Sequence, residues 1–512
     1  MLNQSQLLNY KNQFKILSWD FYSKLLIASY CTFQITRWPI LPQFMDIYYH
    51  LLTAWGFLQA GGYSGWDFWQ YAPVGRIHIY PPVFHIILAL LIRSGISKVI
   101  LAKFFEAVTP AVFLIVLWRF IRKNYNERLA FFVTLAFGSS LSFYLSLLNH
   151  VPATIAFILG FLAFEQMFQK KILRSLILLS LCFYTHIGIS WFFLFSFIFY
   201  GLSNKEYKNP SFFIALSTFI LSSPILFKQL TGLKFISSLG FALSERYVCQ
   251  FKIIDYVLAF FGLILSSKMN GKYRLFLSLF LASFIFLIYP YRFFSAEGYL
   301  PIIFLSALAL YHLYEKLKNK TYIKYFYFLT IIFIILFLSP TVSMDRRKGE
   351  DKLIFKLRFC DSAFIGMLFA RGGTIWFPQE YLSAAALIKK NSEDNDIVYS
   401  SLDISGMTLA SISGRATANA LFPEIGPLRR FNPIKAAKII VFVKDDKVDL
   451  LNRIVDNYKL IKIGENKIFI LYKNLSCNTK IDLKRASLPF WAILSIGFIF
   501  MVLFFMDKQK FI

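Results

Sequence analysis

A chain of 512 residues that is 57% hydrophobic and only 16% charged, with mean hydropathy +0.56, lies far from soluble domains, which carry roughly 25% charged residues. It reads as a polytopic membrane protein. Its 55 Lys and Arg against 28 Asp and Glu give a net charge of +27, but they are spread over short loops, which excludes a nucleic-acid-binding role and fits the basic bias of cytoplasmic loops as well as anionic lipids or phosphate-bearing substrates.

The polar first residues, and an apolar segment interrupted by Asp20 and Lys24, do not read as a cleavable signal. A spanning helix needs about 20 mostly apolar residues. Twelve candidates follow in order: 16–38, 98–118, 129–148, 151–168, 172–185, 188–202, 211–230, 252–267, 275–290, 298–314, 322–339 and 488–506. Thr185-His186-Ile187-Gly188 divides the fifth from the sixth. With that division, Arg119 to Arg128, Lys170-Lys171-Arg174, Lys205/Lys208, Lys268/Lys272/Arg274, Lys316 to Lys324 and Lys508/Lys510 fall on one side, which the charge rule makes the cytoplasm. Both termini are then cytoplasmic. The opposite side receives 40–97, Leu148 to Val151, His186, 231–251, 290–297 and 340–487. The short apolar stretch Pro82 to Arg93 reads as a juxtamembrane or re-entrant helix on that outer side.

Three units follow: a transmembrane module 1–339, a small non-cytoplasmic α/β domain 340–487, and a last helix and tail 488–512. In the α/β domain Gln379 to Asn391 reads as a helix and Ile397 to Ser400 as a strand. Ile439 to Lys444 is a β-branched run followed by an amphipathic helix at 447–457. Tyr458 to Ile463 and Lys467 to Tyr472 read as a hairpin around Gly464-Glu465-Asn466. Segment 352–370 is apolar with interleaved Lys352, Lys356 and Arg358, a pattern for lying flat on the membrane. The cysteines, Cys31, Cys182, Cys249, Cys360 and Cys477, are scattered, with no CxxC and no zinc-like His spacing.

Chemistry concentrates in the outer loops. Asp46, in Asp46-Ile-Tyr-Tyr-His50, is an acid at a membrane surface, costly there without water, a partner or a metal. The same loop carries Trp66-Asp67, Arg76 and His85; the next carries Asn149-His150; a later one carries Arg292. Structural roles stand beside the functional ones. His150 is placed to cap a helix before Pro152, Arg292 to anchor an interface, and Asp67 to be a loop acid; His85 and His186 read as structural. Tyr48, Tyr49, Trp66, Trp69 and Tyr71 suit either stacking on sugars and polyprenyl chains or an interfacial aromatic belt.

These motifs resemble the GT-C glycosyltransferases, in particular the oligosaccharyltransferase catalytic subunits. Asp46-Ile-Tyr-Tyr-His-Leu51 is similar to the family's first acidic motif, and Tyr71-Ala-Pro-Val-Gly-Arg76 with Tyr80-Pro-Pro82 to its first outer loop. Leu148-Asn-His-Val151 falls where the family has its second acidic pair, and Tyr291-Arg292-Phe293 resembles its phosphate-contacting arginine. Glu380 to Asn391, Ile397 to Ser400 and Ser413-Gly-Arg-Ala-Thr417 resemble the surroundings of its WWDYG motif, but that motif itself reads Ser401-Leu402-Asp403-Ile404-Ser405. The resemblance implies an inverting transfer of a sugar or oligosaccharide from a polyprenyl-phosphate-linked donor to an acceptor at the outer face. Asp46 is expected to be the base, assisted by His150. Arg292 or Arg76 would hold the donor phosphate, and Tyr49, His50, Trp66 and Asp403 would contact substrate. Asp46 with His150 could ligate Mg²⁺ or Mn²⁺, metal-independent transfer being the other possibility. Glu245 is a candidate for the family's later loop glutamate. The degenerate motif argues against recognition of Asn-X-Ser/Thr. A secondary transporter or flippase, and a non-catalytic scaffold, are the competing readings; a transporter's usual repeated halves are not visible.

Overall fold

The computed structural model describes residues 18–40, 42, 45–235, 249–317, 331–332, 337, 339–346, 353–359, 378–422, 425–444 and 454–506. Helices dominate up to residue 317 and pack through aromatic rings: Phe113 stacks on Phe157 at 5.4 Å, Phe164 on Phe197 at 3.9 Å and Phe276 on Phe304 at 5.2 Å. In a membrane such close packing replaces the hydrophobic effect as the force between helices. Gly262 shows how tight it is. A Cβ there would sit 1.9 Å from the Leu305 carbonyl oxygen, so only glycine lets Ile253–Lys268 lie against Leu300–Leu317.

Among the described residues four helical stretches are long and apolar enough to cross a membrane: Lys98–Asn124, Val151–Phe168, Gly271–Ile288 and Pro290–Leu317. Two expected spans are broken. Glu127–Phe137 and Leu141–Asn149 meet at 84°, and Lys205–Leu221 and Ser223–Phe235 at 61°; counting each pair once gives six, against the twelve expected. Ile172–Phe183, Ile187–Ser203 and Phe490–Met506 are shorter apolar helices, and 322–339 lies mostly outside the described residues. The division at Thr185-His186 is present: the two helices on either side of it are separate.

The C-terminal α/β unit holds a five-stranded sheet in the order Leu460–Glu465, Phe469–Asn474, Ile439–Val443, Ile397–Ser400, Ala416–Thr417. The first two pairings are antiparallel and the last two parallel. Helix Pro378–Asn391 and strand Ile397–Ser400 lie within a residue of the expected bounds, and the hairpin is present two residues late. Most of the amphipathic helix 447–457 lies outside the described residues.

Of segment 352–370, residues 353–359 are described and the rest lies outside the described residues. Leu353–Arg358 is a strand paired with Thr341–Arg346, which pairs in turn with Cys249–Lys252. Along this strand Phe355 and Leu357, on one face, are exposed. Asp403, in the middle of the degenerate motif, opens the helix Asp403–Ser413, which packs against the helix Asp46–Ala60.

Candidate active site

The helix Asp46–Ala60 starts the site. Asp46 is in its first turn, and Gly61, at φ +81°, ends it. The four-residue spacing puts His50 on the same face as Asp46, with Nε2 3.5 Å from the Asp46 carboxylate. Nδ1 of His50 meets Nε2 of His85 at 2.9 Å. Burial alone would raise the Asp46 carboxyl, but the hydrogen bond and charge of His50 and the charges of His150 and Arg292 outweigh it and hold the group below the ordinary carboxylate range. Asp46 is thereby kept anionic and made a weak proton acceptor.

His150 lies in the break between Leu141–Asn149 and Val151–Phe168. It occupies the cap position before Pro152 but makes no side-chain cap hydrogen bond. Its Nδ1 instead meets Glu297 Oε1 at 2.7 Å. The same oxygen accepts from Arg292 Nη1 at 3.1 Å. Two segments, 148–151 and 290–297, therefore meet at one buried carboxylate. Glu297 escaped the sequence reading, which looked to Glu245 for a late acid. Glu245 lies outside the described residues. The available signal was that Glu297 is the sole acidic residue between Asp255 and Glu315.

Asp46, His150 and Arg292 line one cavity of about 590 Å³, together with Tyr49, Asp67 and Arg76. That size suits a small-molecule site. Its other flank is apolar and contributed by membrane helices, through Trp191, Phe195, Phe286 and Ile288. His186 also borders it while its Nδ1 caps Ile187–Ser203 by accepting from Ile189 N–H at 3.2 Å.

Arg76 borders the cavity but its donors are engaged. Nε gives to Asp67 at 3.0 Å, Nη2 to Gln70 Oε1 at 2.9 Å, and Nη1 to the carbonyls of Phe422 and Ile425 at 2.9 and 3.0 Å. This fixes Phe422 and Ile425 at the cavity's edge, where Phe422 meets Tyr49 edge-on at 4.9 Å. Burial pushes Asp67 up to about 6 despite the Arg76 guanidinium beside it. Arg76 is thus built in as a clamp, while Arg292 is paired with Glu297 at the cavity.

Trp66, His50 and Asp403 stand back from the cavity lining. Trp66 pairs with Ile77 and covers Gly75, where φ is +71° and a Cβ would lie 2.5 Å from the indole nitrogen. Asp403 accepts from Asn419 Nδ2 at 2.7 Å and ties its helix to the sheet, since Asn419 Oδ1 also accepts from Ser400 N–H at 2.7 Å.

Asp46 and His150 offer one carboxylate and one imidazole, so Mg²⁺ or Mn²⁺ held there would need waters and substrate phosphate for its remaining positions. Among the described residues no three His, Cys, Asp or Glu side chains group to hold an ion. His150 Nδ1 and Glu297 Oε1 are moreover used on each other.

No family model and no curated protein matches the chain. Solved structures do resemble it. The oligosaccharyltransferase of Archaeoglobus fulgidus, in a complex with zinc and sulfate, superposes with TM-score 0.53 and 13% identity over 82% of this chain and 68% of that one. An archaeal oligosaccharyltransferase AglB from Archaeoglobus fulgidus, in complex with an inhibitory peptide and a dolichol-phosphate, gives 0.53 and 12% over 83% and 69%. The mycobacterial arabinofuranosyltransferase AftD gives 0.50 and 11% over 90% and 42%. At these identities the likeness concerns the fold, and this chain has a GT-C-like fold.

Proposed function

We propose that the protein is an inverting membrane glycosyltransferase that moves a sugar or oligosaccharide from a polyprenyl-phosphate-linked donor to an acceptor at the outer membrane face. One observation carries this reading: Asp46, His150 and Arg292 meet on a single cavity with a polar end and an apolar flank. Such a cavity matches a donor with a sugar phosphate at one end and a hydrocarbon chain at the other. The resemblance to an oligosaccharyltransferase bound to a dolichol-phosphate and to an arabinofuranosyltransferase supports the same choice.

In this mechanism the acceptor oxygen attacks the anomeric carbon from the side opposite the phosphate. The C1–O bond to phosphate breaks, and the electron pair leaves with the phosphate. Arg292 faces that developing charge, for which a guanidinium fork is suited. The anionic Asp46 accepts a hydrogen bond at the reacting end and stabilises positive charge on the sugar ring. No step uses a metal ion. The test is transfer by the full-length protein in lipid nanodiscs, with a panel of polyprenyl mono- and diphosphate sugars. Release of free polyprenyl phosphate together with a glycosylated acceptor is the expected result. Movement of an intact donor across the membrane without bond cleavage would instead establish the flippase reading.

A further inference from the structure

We propose that Glu297 is a positioning residue that fixes His150 as the base for an alcohol acceptor, so that the sugar is passed to a hydroxyl group of a glycan or lipid alcohol. The inference rests on the glycosyl-transfer reading above and adds where the acceptor's proton goes.

The geometry is that of a carboxylate–histidine dyad. Glu297 Oε1 lies 2.7 Å from His150 Nδ1. An ionised carboxylate only accepts, so Nδ1 carries a proton; in the neutral imidazole this tautomer leaves the Nε2 lone pair free. The imidazole borders the cavity, while the carboxylate behind it is buried, with 1% of its side chain exposed. This is the arrangement in which a base is oriented by a third group. The His150 backbone is fixed as well: its N–H gives to the Ser146 carbonyl at 2.8 Å and its carbonyl accepts from Thr154 N–H at 3.0 Å.

Two further observations favour a role beyond packing. Glu297 Oε2 is buried with no hydrogen-bond partner among the described residues, which leaves that carboxylate's second oxygen facing no competing donor there. Asp46, the other carboxylate of the cavity, sits beside His50 and Arg292, which favour its anionic form and weaken it as a base. The acceptor class follows from the chemistry. A hydroxyl loses its proton as the new C–O bond forms, and imidazole is suited to take it near neutral pH. The positions that resemble the WWDYG motif, Ser401 to Ser405, carry no aromatic side chain. In the step, the acceptor proton passes to His150 Nε2, its oxygen bonds to C1, and the phosphate departs with the C1–O pair. The resulting imidazolium is stabilised by Glu297 and returns its proton to water after product leaves.

The experiment uses the full-length protein in nanodiscs, a polyprenyl-phosphate-linked hexose from the panel above and an octyl hexoside as acceptor. His150→Gln should lower kcat by ~10²–10⁴-fold, and Glu297→Gln by on the order of 10²-fold with donor KM unchanged or lower, because Arg292 has lost an anion. The double variant should be no slower than His150→Gln alone. Losses that multiply, or a Glu297→Gln variant with raised KM and intact kcat, would overturn the assignment while leaving glycosyl transfer standing. A wild-type protein that turns over no donor in the panel sinks the transfer reading and this one with it. Should Glu297→Gln fail to fold, ¹⁵N-histidine NMR of the wild type still decides: Nδ1–H at His150 is expected, and Nε2–H refutes the dyad.

Discussion

Replacing Arg76 by Met separates a clamp from a phosphate ligand. The side chain is 4% exposed and its partner Asp67 is 1% exposed. Removing one member of such a buried pair typically costs about 3–5 kcal/mol, because the other charge is left uncompensated. Two carbonyl acceptors, of Phe422 and Ile425, lose their donor as well. If opening is local, amide exchange over 66–77 and 417–422 should accelerate by about 10²–10³-fold, tenfold for each ~1.4 kcal/mol. The pH dependence has a definite sign. Asp67 is raised to about 6 in the folded protein, above its unfolded value of roughly 3.9. The folded state therefore binds the proton more tightly, and stability falls as pH rises from about 4 through 6. Without the guanidinium the carboxyl rises further. The defect in Arg76→Met should be largest above about pH 7 and shrink toward pH 5 as Asp67 becomes neutral. Hydrogen-exchange mass spectrometry at both pH values, corrected for intrinsic rates, measures this. Unchanged protection at pH 7.5, with a raised donor KM, would refute the clamp and restore Arg76 as a phosphate ligand.

Three other outcomes are expected. Asp46→Asn keeps the size of the side chain, so the protein should fold while transfer in nanodiscs drops by ~10²–10³-fold; a near wild-type rate would remove Asp46 from the reaction. Peptides containing Asn-X-Ser/Thr should stay unmodified with any lipid-linked donor, and mass-spectrometric detection of a glycosylated sequon would show that residues other than an aromatic platform read it. Ile512→Cys, in a chain with its five native cysteines changed to Ser, should resist a membrane-impermeant maleimide in intact cells; strong labelling would place the C-terminus outside.

Legibility in the sequence divides along physical lines. The alternation of basic loops is a long-range signal and puts Asp46, His150 and Arg292 on one face; in the structure they border one cavity. The strand Ile397–Ser400 was readable because β-branched runs between turn residues have few alternatives. Hydropathy could not show that two spans are bent, since Gly138-Ser139-Ser140 and Ser222-Ser223-Pro224 interrupt apolar runs without adding charge. It also could not separate Arg76 from Arg292. Both lie in aromatic outer loops, and only the fold brings Asp67, Gln70 and the carbonyls of Phe422 and Ile425 around the first. Glu297 was hidden by its position five residues after Arg292 and against the start of a helix, where an acid reads as a first-turn residue favoured by the helix dipole.

The α/β unit belongs to the site because backbone bonds join it there. Thr417 N–H gives to the Trp69 carbonyl at 2.9 Å, and its own carbonyl accepts from Ala72 N–H at 3.0 Å, which continues the sheet edge into the first outer loop. Gly62 and Tyr63 pair with Pro489 and Leu488 immediately before the last helix. At the far end of that helix Arg174 Nε gives to the Phe504 carbonyl at 2.8 Å. The helix therefore runs from the loop that carries the cavity to the start of Ile172–Phe183. Its 17 residues rise about 25 Å, close to the hydrocarbon thickness of roughly 30 Å. The chain thus returns to the first outer loop three times, at Thr417, at Phe422 with Ile425, and at Leu488. Each hydrogen bond contributes only about 0.5–1.5 kcal/mol, but together they hold the unit at both ends. Thr417, Phe422 and Ile425 are thereby held against the loop that follows Asp46–Ala60, and Phe422 stands over Tyr49 as a wall whose position the Arg76 clamp sets.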